Sequence, residues 1–410
     1  EEKGTIFISE DCSTYGIWEE ETLTCILTQD LTQSVEITVN NIILDCNGRS
    51  ITGTSTGYGI YLSHREGIII KNCTIAHFSY GIYSRWHSSS IILTNNIVLS
   101  NGGGVYIVDS INNTIANNNI SKNSMIGIGL WRSSNTDITN NKVSNNEYGV
   151  YLFESSNSKL RENQLSNNKY NFGVRGWEFN DFIQDIDTSN KINEKIIYYL
   201  VSISDYIVPS DAGFVGIINS NNVIVKDLTL ENNFESVLFA YTKNSKIENV
   251  TASNNCHFGI YFHYSINNIV TKSNVLNNSY GIWFLYSSNN KIYHNNFDNE
   301  HTPQTYVYGG TGNLFDNGYP EGGNYWSDYI GVDLYSGSNQ NEPGSDGMGD
   351  TPYIFDGGQD NYPFMKERGW ETPSKWSFAI ITDLHIGRGY SDYDGMGYEN
   401  SGEGEDYYLT

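Results

Sequence analysis

The sequence predicts an all-β fold, a right-handed parallel β-helix of about ten coils. Three observations carry this. The motif Gly-(Ile/Val)-x-apolar recurs every 22–23 residues from Gly59 to beyond Gly281. A second strand lines up behind it in each repeat. Asn, Ser and Gly fill the intervals, where left-handed turns are needed.

The motif reads Gly59-Ile-Tyr-Leu, Gly81-Ile-Tyr-Ser, Gly104-Val-Tyr-Ile, Gly127-Ile-Gly-Leu and Gly149-Val-Tyr-Leu, then Gly173-Val-Arg-Gly. It resumes at Gly216, Ser236, Gly259 and Gly281 after a 43-residue break. The second strand places apolar residues at Val98, Ile120, Val143 and Leu165, and asparagines at Asn96, Asn118, Asn141 and Asn163. Alternation with period two marks strands with one buried face. Strands this short, spaced at about 22 residues, stack as coils roughly 4.8 Å apart. Asparagine amides in register can then hydrogen-bond along the axis.

Residues 1–40 lack the repeat and are expected to cap the N-terminal end, with Val35, Ile37 and Val39 as a first alternating strand. Residues 41–308 form the β-helix, with an excursion near 177–211. Residues 309–369, rich in Gly, Asp and aromatics, are expected as a C-terminal cap. A different segment, 370–410, follows.

The 410 residues carry a formal charge of −24, which disfavours nucleic acid and anionic lipid as partners. No run of 18 apolar residues exists, so the chain is not expected to span a membrane. It opens at Glu1 without a basic or apolar leader and reads as an exported product, extracellular or cell-surface, with its signal peptide removed. Five cysteines fit that compartment. Cys12 and Cys25 bracket a short polar segment and are expected to form a disulfide. Cys46 and Cys73 lie one coil apart and either stack or bond; Cys256 is odd.

Several residues are candidates for chemistry. Outward positions carry Tyr151, Tyr261, Trp283, Trp131 and Phe153, a set of aromatics able to stack sugar rings or to pack on neighbouring surface proteins. Asp346 and Asp350, in Asp346-Gly-Met-Gly-Asp350, offer oxygen ligands suited to calcium or an ordinary Asx-rich turn. Asp109 and Glu154, with Arg85 and Arg132 nearby, are outward carboxylates set about 10 Å apart by coil spacing, a weak basis for catalysis.

The segments Ile43-Leu-Asp-Cys-Asn-Gly48, Phe179-Asn-Asp-Phe-Ile-Gln-Asp-Ile-Asp187, Gly323-Asn-Tyr-Trp-Ser-Asp328 and Gly349-Asp-Thr-Pro-Tyr353 accompany the coils. Together they resemble the archaeal and bacterial NosD-like, or PbH1-repeat, parallel β-helix family. The resemblance covers roughly residues 9–365 and implies an exported or surface β-helix, often fused to other modules. The family's name comes from a copper-site maturation factor. Copper is not expected here, because Cu(I) wants clustered Cys and Met and the chain has 4 Met and scattered Cys.

Phe378-Ala-Ile-Ile-Thr-Asp-Leu-His-Ile-Gly387 is an apolar strand running into Asp-x-His. It resembles the first metal motif of calcineurin-like metallophosphoesterases. The resemblance implies that Asp383 and His385 bind one of two divalent metals that activate water and clamp a phosphate. No Gly-Asn-His or His-x-His motif follows His385, so the module is incomplete in this chain. The resulting expectation is a β-helix scaffold, carbohydrate-interacting, that carries a phosphoesterase module. Two alternatives stand beside it: a self-assembling surface-layer or filament protein, and a polysaccharide lyase or hydrolase.

Overall fold

The computed structural model describes residues 4–9, 11–301 and 304–371. They form an all-β parallel solenoid of the right-handed type with about 13 turns, more than the repeat count suggests. The surplus lies at both ends. Ile6–Ile8 and Val35–Ile37, inside the expected cap, already stack in register with Tyr58–Ser63. Thr305–Tyr308 and Tyr325–Trp326 extend the far end likewise. The segment holding Asp383 and His385 lies outside the described residues.

Each regular coil contributes three strands. Tyr58–Ser63, Tyr80–Arg85, Gly103–Val108, Ile126–Trp131, Tyr148–Phe153 and Tyr170–Arg175 join the two N-terminal strands in an eight-stranded first sheet. Three-residue strands such as Ile92–Thr94 and Ile97–Leu99 build a second and a third sheet. Ile60, Ile82, Val105, Ile128 and Val150 point inward and are fully buried. Each such side chain contributes about 1.5–3 kcal/mol by leaving water. The motif glycine is a packing requirement. A Cβ on Gly127 would lie 2.5 Å from the Val143 methyl and 2.8 Å from the Gly149 carbonyl oxygen of the next coil.

The asparagines of the second strand form a buried amide ladder. The Asn118 backbone N–H donates to Asn141 Oδ1 at 2.9 Å, and that of Asn141 donates to Asn163 Oδ1 at 3.0 Å. Side-chain amides repeat the pattern, Asn118 to Asn141 at 3.0 Å and Asn163 to Asn190 at 2.8 Å. A parallel ladder runs through Asn101, Asn123, Asn146 and Asn168. These bonds satisfy turn amides that would otherwise be buried without partners.

The 43-residue break in the repeat is where the chain reverses. Lys191–Ile192 is the last first-stack strand of the third sheet. Asn193 and Glu194, at φ 47° and 71°, turn the backbone, and Lys195–Val201 returns antiparallel to it. Ala212–Ile218, Glu235–Ala240, Phe258–His263 and Tyr280–Leu285 then add in parallel to that strand, giving a shared sheet of 13 strands. The later Gly-Ile motifs therefore continue the third sheet, not the first.

Those strands are apolar on both faces. Val237, Phe239 and Ile260 enter the core of the second stack, whereas Leu238, Ala240 and Tyr261 join the core of the first. The second stack thus closes the open end of the first. The Asn171 N–H donates to the Asn232 carbonyl at 2.7 Å, and the Phe234 N–H donates to the Phe172 carbonyl at 3.1 Å. An edge that could recruit another strand is paired.

Cys12 bonds to Cys25 and Cys46 bonds to Cys73. The first disulfide ties the antiparallel pair Gly16–Glu19 and Thr24–Leu27 to the preceding turn, and the second links successive coils. At the far end Trp326 is 1 % exposed and donates its Nε1–H to Asp360 at 2.9 Å. Among the described residues no helix is long and apolar enough to cross a membrane.

Candidate functional site

The outer face of the first sheet gathers the aromatic residues. Burial alternates along each six-residue strand, so Tyr58, Tyr61 and Ser63 face outward in one coil and Tyr80, Tyr83 and Arg85 in the next. Strand register sets a column Phe7, Glu36, Tyr61, Tyr83, Tyr106, Gly129, Tyr151 along the axis. Tyr61 and Tyr83 stack at 6.1 Å and Tyr83 and Tyr106 at 5.9 Å, with Tyr58 and Tyr80 packed beside them. Gly129 gives the last ring its place, because a Cβ there would lie 2.5 Å from the Tyr106 ring. Burial pushes the Tyr106 hydroxyl up to about 12, so it remains a neutral donor.

The face has two limits. At its N-terminal end Tyr58, Tyr61, Phe78 and Glu36 line a cleft of about 590 Å³. At the other end the second stack leans over it. Phe234 stacks on Tyr151 at 4.1 Å with an interplanar angle of 6°, and Arg175 lies 5.2 Å from the Phe258 ring. The tyrosines between these limits are half-buried, and the turn beside them is open.

That turn supplies the chemistry. After the second-sheet strands the left-handed position is Asn72, Asn95, Asn117 and Asn140, the residue that tolerates it. After the first-sheet strands the same conformation is held by His64, Trp86, Asp109, Arg132 and Glu154, with φ between 48° and 59°. In the second stack the corresponding turn carries Tyr241, Tyr264 and Tyr286, stacked at 5.2 and 4.9 Å. Such residues cost about 1 kcal/mol each in this backbone region. The cost fits side chains retained for what they present to solvent.

Arg132 forms a fork on Asp109, Nε to Oδ1 at 2.7 Å and Nη2 to Oδ2 at 3.3 Å. That bond holds the Asp109 carboxyl below the usual carboxylate range. The Arg85 guanidinium lies 4.0 Å over the Trp86 ring.

The five expected sugar-stacking residues do not form one ladder. Trp131 and Phe153 are adjacent, with ring centroids 4.2 Å apart, on the open edge of the first sheet. Tyr151 shares that face but lies under Phe234. Tyr261 requires a correction. It is 1 % exposed, with its hydroxyl 2.9 Å from His263 Nδ1, because its strand belongs to the shared sheet and faces the first stack. Trp283, one coil on, stacks with Tyr306 at 4.4 Å.

Asp346 and Asp350 sit in the C-terminal segment as turn anchors. Asp346 accepts from the Met348 N–H and from Gln340 Nε2, both at 3.1 Å, and Asp350 accepts from the Leu334 and Tyr335 N–H groups. Sequence reasoning gave no notice of Glu235. It is 1 % exposed between the stacks, burial pushes its carboxyl up to about 8, and Arg175 and the Val174 N–H oppose that shift. Its one signal is a carboxylate before Ser236, where the motif otherwise has an aromatic or aliphatic residue or a glycine.

The fold and this surface define a disulfide-bonded parallel β-solenoid with an aromatic, turn-edged outer face. The chain belongs to the family described as Periplasmic copper-binding protein (NosD), which matches residues 2–199 and 201–331. The disulfides suit an oxidising compartment, such as the periplasmic setting that this description names. No curated protein matches the chain.

Among solved structures, DFA-IIIase from Arthrobacter chlorophenolicus A6 is 11 % identical with a TM-score of 0.32, and the match covers 59 % of this chain and 56 % of that one. The A-module of mannuronan C-5 epimerase AlgE4 from Azotobacter vinelandii is 13 % identical with a TM-score of 0.31, over 75 % of this chain and 80 % of that one. The catalytic unit of a GH87 alpha-1,3-glucanase from Streptomyces thermodiastaticus is 10 % identical with a TM-score of 0.32, over 71 % and 61 %. The chain thus spans little more than half of the DFA-IIIase chain.

The cysteines, the soft donors that copper would favour, are mostly taken up. Four of the five cysteines are bonded in pairs. Burial raises the thiol of the remaining one, Cys256, whose Sγ lies 3.7 Å from the Tyr148 hydroxyl. Among the described residues no three His, Cys, Asp or Glu side chains converge.

Proposed function

We propose that this protein is an exported β-solenoid scaffold, displayed at the cell surface, that holds an extended carbohydrate along the outer face of its first sheet. The observation that carries the reading is the turn column. Where asparagine would be free of strain, the chain places Trp86, Asp109, Arg132 and Glu154 beside the half-buried tyrosines and the Trp131–Phe153 pair. Aromatic rings offer the apolar faces of sugars a stacking surface, and the flanking charged groups offer hydrogen bonds to hydroxyls. The cleft at Tyr58 and Tyr61 would receive one end of the chain.

A glycan array tests this. The protein is expected to retain a subset of glycans, with binding lost in the Trp131→Ala, Phe153→Ala double variant and kept in Tyr335→Ala, which removes an exposed aromatic elsewhere. Binding indifferent to the double variant, or no glycan bound by the unaltered protein, would sink the reading.

The scaffold is further proposed to carry a metallophosphoesterase module beginning at Phe378, on the strength of the Asp383-x-His385 motif alone. A longer product of the same gene, extended past residue 410, should hydrolyse p-nitrophenyl phosphate only with added divalent metal and lose that activity in Asp383→Asn. A stop codon directly after Thr410 would end the proposal.

A further inference from the structure

Resting on the glycan reading above, we infer that the bound carbohydrate is acidic, and that Arg85 reads the carboxylate of a uronate residue stacked beside Trp86. The chain has 47 acidic and 23 basic residues, so a cation held out on the surface by a stacked ring is a distinctive place on it. Arg132, Arg161 and Arg368 form ion pairs with Asp109, Asp185 and Glu371, and among the arginines that form none, Arg65 donates its Nε–H to the Ile37 carbonyl and Arg175 lies over Phe258 beside the buried Glu235. Arg85 does neither. Its guanidinium contacts only rings, Trp86 at 4.0 Å and Tyr83 at 6.0 Å, and donates no hydrogen bond to any described residue. The Asp109 carboxylate, which feels that charge, is taken up by the Arg132 fork.

Local geometry sets this group out. Arg85 pairs with Ser63 and Ser89 bridges Glu66, so three residues of the first coil are matched by four of the second. The added residue leaves Trp86 and His87 consecutively left-handed, at φ 59° and 57°, and Trp86 is 42 % exposed. Stacking on the indole fixes the plane of the guanidinium and leaves its fork of N–H donors free at the edge. A fork of this kind meets a planar carboxylate through two parallel hydrogen bonds. An exposed ring beside it suits the apolar face of the same sugar. His87 adds a donor next to the pair. A uronate combines these two demands in one residue, a carboxylate attached to a pyranose ring. The chain's overall negative charge does not prevent this, because exposed charges beyond about 8 Å are largely screened at physiological salt.

Calorimetric titration of the full chain with galacturonan, mannuronan and glucuronan oligomers, their methyl esters, and a sulfated neutral glucan tests the assignment. At least one acid form is expected to bind about tenfold or more tightly than its ester, a difference of about 1.4 kcal/mol. Arg85→Gln should erase the preference, weakening the acid form about tenfold more than the ester, and Arg85→Lys should restore it only in part, since an ammonium lacks the planar fork. Equal affinity for acid and ester, or a preference that survives Arg85→Gln, overturns the inference and leaves the glycan reading standing. Tighter binding of the sulfated glucan overturns the carboxylate in favour of a sulfate. If neither acids nor esters bind, the inference fails, and the glycan array decides separately whether the glycan reading fails with it.

Discussion

Glu235→Gln is expected to remove most of the roughly 2 kcal/mol of stability that the protein loses between pH 6.5 and 8. Glu235 is closed in by Arg175, Tyr151, Tyr199, Tyr261 and Cys256, and its Oε1 has no hydrogen-bond partner. Burial pushes its carboxyl up to about 8 in the folded chain, against roughly 4.3 when unfolded. A raised acid gives its full stability below the unfolded value and loses it as pH rises through the folded one. His263 and His257 work in the other direction. Burial holds both down to about 4, so their contribution is complete above about 6.5 and lost on acidification. Below pH 6.5 the two effects oppose each other; above it the carboxyl acts without them. Asp360, pushed up to about 7, adds a smaller fall centred near neutrality within the same window, which the substitution leaves in place. Urea unfolding at pH 6.5 and 8 measures the difference. A variant that falls as steeply as the parent would show that Glu235 is not the titrating group.

The amide ladder carries the second large effect. Asn141→Ala is expected to cost about 3–5 kcal/mol, because it orphans several buried groups together. The Asn118 N–H and side-chain amide lose Oδ1, and the carbonyls of Ile115 and Thr139 lose the Nδ2 donor. Its exposed neighbour Asn140 holds a left-handed turn at φ 52°, so Asn140→Ala should cost only about 1 kcal/mol. Urea midpoints of the two variants decide the matter. Equal shifts would mean that the ladder adds nothing beyond turn conformation.

The sequence made the ladder legible because one residue type recurred at one position, and that position has one structural meaning. The inward Ile and Val stack was legible for the same reason. The reversal at Asn193 was not. Two short strands leave the same periodic trace whether the chain stacks upward or turns back, and the Gly-Ile motif looks alike on either side of the break. The consequence reached the candidate residues. Trp131 and Phe153 lie in neighbouring coils of one sheet, so spacing alone joined them. Tyr261 shares their motif position but was carried into the shared sheet, where its ring fills the junction. Glu235 left only the sign of a carboxylate at an otherwise uncharged motif position, since its significance depends on Arg175 and Tyr151, neighbours brought to it by the leaning of one stack on the other. Arg85 gave a partial sign, as the member of a coil one residue longer than its predecessor.

Closure of the first stack by the side of the second bears on how such a molecule can change length over generations. A coil duplicated between Gly104 and Gly127 would meet its neighbours through the same repeating contacts and lengthen the open face by about 4.8 Å. The same duplication after Tyr170 would lift Phe234, Glu235 and Tyr261 off their partners. Growth by tandem duplication is therefore free in the middle of the first stack and barred at its end, and lineages of this architecture should differ in reach while keeping one joint.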